Sequence, residues 1–97
     1  MKLKRVIQDL RCVAKELSRD FPNTHWYLFG SLLRQDSMPS DIDLLIVYQS
    51  DYEAQGLRLG LGEMCERLPI DLLLLREDEE SELNFVSGQS AMCIFPF

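Results

Sequence analysis

The run Asp41 to Tyr48, DIDLLIVY, constrains the fold of this chain more than any other segment. Its branched and aromatic side chains are too apolar for a surface. They are expected to form a central β-strand with two acidic residues at its start. Asp41 and Asp43 are separated by one residue, which on a strand turns both carboxylates to one face with Cα atoms about 6.6 Å apart. Two charges at about 6 Å repel by roughly 3 kcal/mol at an effective dielectric near 20, a cost that a divalent cation would reverse. Solvent exposure is the cheaper alternative, but Leu44, Leu45, Ile46 and Val47 directly behind the pair read as interior strand.

Ile70 to Leu75, IDLLLL, repeats the anomaly: Asp71 interrupts a second apolar strand near its start. Three carboxylates could therefore meet across neighbouring strands. Hard oxygen ligands suit magnesium, and two such ions a few ångströms apart can clamp the attacking and leaving oxygens of a phosphoryl displacement. In that arrangement Asp41 and Asp43 hold metal, and Asp71 either completes a metal site or acts as general base toward an attacking hydroxyl. His25 to Phe29, HWYLF, bounded by Asn23 and Gly30, is expected to be a short strand. Gly30-Ser31 after it would open a turn or short helix whose backbone N–H groups and hydroxyl could receive a phosphate. Taken alone, that dipeptide is more often a turn or helix cap without ligand.

Leu3, Val6, Ile7, Leu10, Val13, Ala14 and Leu17 recur at helical spacing, and Phe21-Pro22-Asn23 stops that helix. Ser50 to Glu53 has capping-box spacing, and Leu57, Leu61, Met64, Cys65 and Leu68 continue a second helix up to Pro69. Gly56, Gly60 and Gly62 would weaken it by roughly 1 kcal/mol each relative to Ala. Gly60-Leu61-Gly62 lacks the preceding strand and third glycine of a dinucleotide fingerprint. Asp78 to Val86 is expected to be a short acidic helix ended by Gly88, and the apolar tail Ala91 to Phe97 to dock on the core. The order helix, strand, strand, helix, strand, helix gives an α/β (α+β) fold, a small mixed sheet covered by helices, in one domain over residues 1–97.

A hydrophobic fraction of 46% with 27% charged residues fits a globular protein, and no apolar run reaches the roughly 20 residues of a membrane span. A cytoplasmic location is expected. The net charge of −6 argues against broad nucleic-acid binding, which draws on Lys and Arg. Charge is uneven, basic before residue 20 and acidic over Glu77, Asp78, Glu79, Glu80 and Glu82. Cys12, Cys65 and Cys93 lack the close spacing of zinc or disulfide frameworks and are expected to be buried free thiols. His25 is the single histidine, so no multi-histidine metal site can form within one chain.

Gly30-Ser31, nine intervening residues, then Asp41-Ile42-Asp43 between apolar strands resembles the signature of the DNA polymerase beta-like nucleotidyltransferase superfamily. The similarity is greatest to its minimal nucleotidyltransferases and spans almost the whole chain. Arg34, three residues after Ser31, and Ser40, before Asp41, also fit their pattern, and Asp71 falls where they place the third carboxylate. The chain departs from that pattern at Leu32 and Gln35, and its loop before the acidic pair is one residue shorter than is common.

The resemblance implies a nucleotidyltransferase fold and transfer of a nucleoside monophosphate, most often AMP from ATP, to a hydroxyl with release of pyrophosphate. Gly30, Ser31, Arg34 and Ser40 would hold the triphosphate, and Asp41, Asp43 and Asp71 the magnesium ions, two in number. It further implies a small helical HEPN-type ribonuclease toxin as partner, adenylylated on a tyrosine by this antitoxin. Two other readings remain: neutralisation of a partner by occlusion without catalysis, and transfer to a small hydroxylated molecule. The oligomeric state is left open, a homo-oligomer included.

Overall fold

The computed structural model describes residues 3–30 and 41–96. In chain order they form α1 (Leu3–Leu17), β1 (His25–Phe29), β2 (Ile42–Tyr48), α2 (Asp51–Arg67), β3 (Ile70–Arg76), α3 (Glu77–Leu83), α4 (Phe85–Gly88) and β4 (Met92–Phe95). The strands make one sheet in the order β3-β2-β1-β4. β1 runs antiparallel to both β2 and β4, whereas β2 and β3 are parallel and joined by the α2 crossover. The expected mixed sheet with helices is therefore what forms.

β2 is central, and its alternation divides the interior. Ile42, Leu44, Ile46 and Tyr48 face α1 and α2, where they pack with Val6, Leu10, Ala14, Trp26, Leu28, Leu57, Leu61 and Met64. Leu45 and Val47 face the other way into a smaller cluster with Leu75, Tyr27, Phe29, Leu73, Phe85 and Val86. Leu44, Leu45 and Ile46 are completely buried, which explains the uninterrupted apolar run. Trp26 is equally buried, and its indole N–H donates to the Thr24 hydroxyl at 3.1 Å.

α2 begins at the expected cap. The Glu53 carboxylate, almost fully buried, accepts hydrogen bonds from Ser50 N at 2.8 Å and Gln49 N at 3.1 Å. Two of its glycines have a packing role. A Cβ at Gly56 would overlap the Phe21 ring and one at Gly60 would press on Leu17, so both let the end of α1 lie close against α2; Gly62 faces open space.

Three expectations need correction. Cys12, Cys65 and Cys93 are all exposed: each lies on the outward side of its element, α1, α2 or β4. The acidic helix is not continuous, because Asn84 adopts a left-handed conformation (φ 54°) that ends α3 and starts the single turn α4. Within the apolar tail, Met92–Phe95 does more than dock: it adds β4 to the free edge of β1. Among the described residues no helix is long and apolar enough to cross a membrane.

Candidate active site

Asp43 and Asp71 are the second residues of the two parallel strands. The β2 and β3 register pairs Ile42 with Ile70 and Asp43 with Asp71, which sets the two acidic Cα atoms at the interstrand spacing of about 4.8 Å. Pro69 secures this register: its carbonyl accepts from Ile42 N at 2.8 Å, just ahead of the first ladder pair. Asp41 precedes β2 by one residue and is exposed. On the opposite flank, Phe29 of antiparallel β1 pairs with Asp43, so Gly30 follows directly beside the same carboxylate.

Gly30 has φ +79°, a conformation L side chains rarely adopt, and a Cβ placed there would lie 3.1 Å from Asp43 Cγ and overlap the carboxylate oxygen. Backbone turn and acidic side chain thus occupy one corner. Burial is the main cause pushing the Asp43 carboxyl above its ordinary range, and the negative charges of Asp71 and then Asp41 push it further. Asp41 and Asp71, 30 positions apart in sequence, thus both bear on the Asp43 carboxylate.

The donor set fits a hard divalent cation. It consists of carboxylate oxygens whose mutual repulsion such an ion would relieve. Among the described residues no three His, Cys, Asp or Glu side chains are already gathered at metal-holding distances. The register sets Asp43 beside Asp71, and Asp41 lies one residue before β2. Ser31, Arg34 and Ser40, expected to hold the triphosphate, lie outside the described residues.

Two residues that the sequence reading did not assign to the site flank it. Phe29 and Phe85 meet edge to face with ring centroids 5.0 Å apart, and with Leu73 they form an apolar wall on the sheet face that carries Asp43 and Asp71. Period-two alternation, His25, Tyr27 and Phe29 on one face of β1, was the available signal for Phe29. Phe85 had none, since its position depends on the break at Asn84.

A half-covered mixed sheet with carboxylates at the start of two parallel strands and a glycine turn beside them defines the nucleotidyltransferase fold. The comparison with protein families agrees: the nucleotidyltransferase domain matches residues 10–90, and the chain belongs to that family. It is also similar to a protein of known crystal structure from Sulfolobus solfataricus, provisionally assigned as a nucleotidyltransferase. Identity is 27%, the TM-score is 0.57, and the match covers 80% of this chain and 73% of that one. No curated protein matches.

Proposed function

We propose that the chain transfers a nucleoside monophosphate, AMP from ATP, to a hydroxyl acceptor in a magnesium-dependent reaction. The observation that carries this reading is the in-register pair Asp43 and Asp71 beside the left-handed Gly30 turn. When bound, two magnesium ions would supply Lewis-acid polarisation of the phosphate and charge neutralisation on the attacking and leaving oxygens. Asp41 and Asp43 would hold them. The backbone N–H groups of the Gly30 turn would receive the triphosphate, with Ser31, Arg34 and Ser40 as its further contacts. Asp71, on the far side of Asp43 from Gly30, takes the proton from the attacking hydroxyl or completes a metal site. The hydroxyl oxygen forms a bond to the α-phosphorus, the bond to the bridging α,β-oxygen breaks, and pyrophosphate leaves with that electron pair.

The acceptor in this reading is a tyrosine of a small helical HEPN-type ribonuclease, which the chain silences as an antitoxin; its support is the family resemblance. Incubation with α-labelled ATP, magnesium and the product of the neighbouring gene tests both steps, with Asp41→Asn/Asp43→Asn as control. Label on a partner tyrosine that disappears in the control is the expected result. Inhibition of the partner without label, and equally by the control, would show occlusion in place of catalysis, and label on a small molecule would move the acceptor.

A further inference from the structure

The chain carries six of its ten Lys and Arg residues before residue 20 (Lys2, Lys4, Arg5, Arg11, Lys15 and Arg19) although its net charge is −6. Lys4, Gln8, Arg11 and Lys15 recur along α1 at steps of three and four, and Arg19 follows in the turn beyond. At 100° per residue the first four share one side of the helix in a stripe about 16 Å long, which Arg19 extends past its end. Val6, Leu10 and Ala14 occupy the opposite, buried side. Among the described residues Lys4, Lys15 and Arg19 form no ion pair.

Two surface grooves lie on this stripe, each of about 440 Å³. One is lined by Lys4, Ile7, Gln8, Arg11 and Met92, the other by Cys12, Lys15, Glu16, Ser18 and Arg19. Ile7 and Met92 give the first an apolar floor, and Met92 is 36% exposed.

We propose that this cationic groove along α1 and the edge of β4 docks an acidic amphipathic segment of a partner protein. Carboxylates of such a segment meet Lys4, Lys15 and Arg19 while its apolar side chains cover Ile7 and Met92. A strand added to β4 is disfavoured, because Arg11 Nε donates to the Ile94 carbonyl at 2.9 Å and occupies a backbone acceptor that an added strand would compete for. Single-stranded nucleic acid is disfavoured because neither groove is lined by an aromatic side chain for base stacking and Glu16 intrudes. A second copy is disfavoured because four carboxylates of the acidic run are engaged within the chain. Glu77 accepts from Gln49, Asp78 and Glu79 pair with Arg76, and Glu80 accepts from Val86 N. The docking surface and the candidate active site are on opposite faces of the sheet, so an occupied groove leaves Asp43 and Asp71 accessible.

The test is fluorescence anisotropy of a labelled helical peptide of about 16 residues built on the repeat Ala-Glu-Leu-Ala-Glu-Glu-Leu, titrated with the full chain. A sequence isomer with its leucines dispersed around the helix and a labelled oligo(dT) serve as comparisons. The amphipathic peptide binds more tightly than both. Lys4→Glu/Lys15→Glu/Arg19→Glu weakens it by about tenfold or more, and Met92→Ser weakens it severalfold. Equal binding to the triple variant, equal binding of the isomer, tighter binding of oligo(dT), or no binding of the peptide would each overturn the proposal. So would concentration-dependent dimerisation that competes with the peptide. Circular dichroism verifies that the triple variant is folded; if it is not, Lys15→Gln/Arg19→Gln provides the same reading.

Discussion

Asp43 and Asp71 stand opposite each other in register on the parallel strands β2 and β3. The ladder fixes the register of their backbones, so the proximity of the two acidic residues is built into the sheet. The raised Asp43 pKa fixes the sign of its effect on stability. The folded state binds the Asp43 proton more tightly than the unfolded chain does. The stabilising contribution is complete below the unfolded pKa near 3.8 and is lost as pH rises through the higher folded value.

At neutral pH, Asp43→Asn therefore stabilises the metal-free protein by about a few tenths of a kcal/mol, read as a small rise in Tm, because it removes the cost of burying the charge and a repulsion that solvent largely screens. Magnesium raises Tm of the parent but not of the variant, and the variant transfers no nucleotide. Thermal melts at pH 4 and pH 7, with and without magnesium, check the first two, and transfer of label from α-labelled ATP checks the third. A lower Tm for Asp43→Asn at pH 7 without metal would contradict the electrostatic account.

Gly30→Ala is expected to cost about 1–3 kcal/mol, since the new Cβ combines a left-handed backbone with overlap on the Asp43 carboxylate. Because that overlap displaces Asp43, magnesium binding falls together with Tm. Isothermal titration and a thermal melt on one preparation measure both.

Glu53→Ala removes the acceptor for two backbone N–H groups at the start of α2. The expected loss is about 2 kcal/mol, or about 10 °C in Tm. Glu53→Gln retains an acceptor oxygen and recovers part of it. Chemical denaturation with unchanged m values distinguishes this cap effect from a change in the unfolded state.

Gly62→Ala and Gly56→Ala should act in opposite directions although both replace a glycine inside α2. Nothing lies near a Cβ at position 62, and the substitution stabilises by about 1 kcal/mol through helix propensity. At position 56 the Phe21 ring is in the way, with Cε2 at 2.9 Å and Cζ closer still, so the net effect is a loss of about 1–2 kcal/mol. Equal stabilisation by both would mean that Phe21 does not pack on α2 in solution.

Helical spacing in α1, the glutamate of the α2 cap, Pro69 after that helix, and the apolar strands β2 and β3 could all be read from local pattern. Each is governed by neighbours within a few residues, so composition and periodicity suffice. The exposed cysteines could not. Cys12 and Cys65 lie on amphipathic helices whose sequences interleave inward and outward positions, and which side faces the core is settled only when the helix is placed on the sheet.

The sequence by itself determined that Asp41, Asp43 and Asp71 lie at the beginnings of apolar strands and that Gly30 ends β1, because those are statements about short segments and the cost of burying charge. Only the tertiary structure decided that Asp43 faces Asp71, that Gly30 abuts the Asp43 carboxylate, and that Phe85 crosses back to the same sheet face. Those relationships join residues 13 to 56 positions apart. They depend on the strand order β3-β2-β1-β4 and on a register set by the ladder hydrogen bonds and by the α2 crossover, none of which leaves a mark in local sequence.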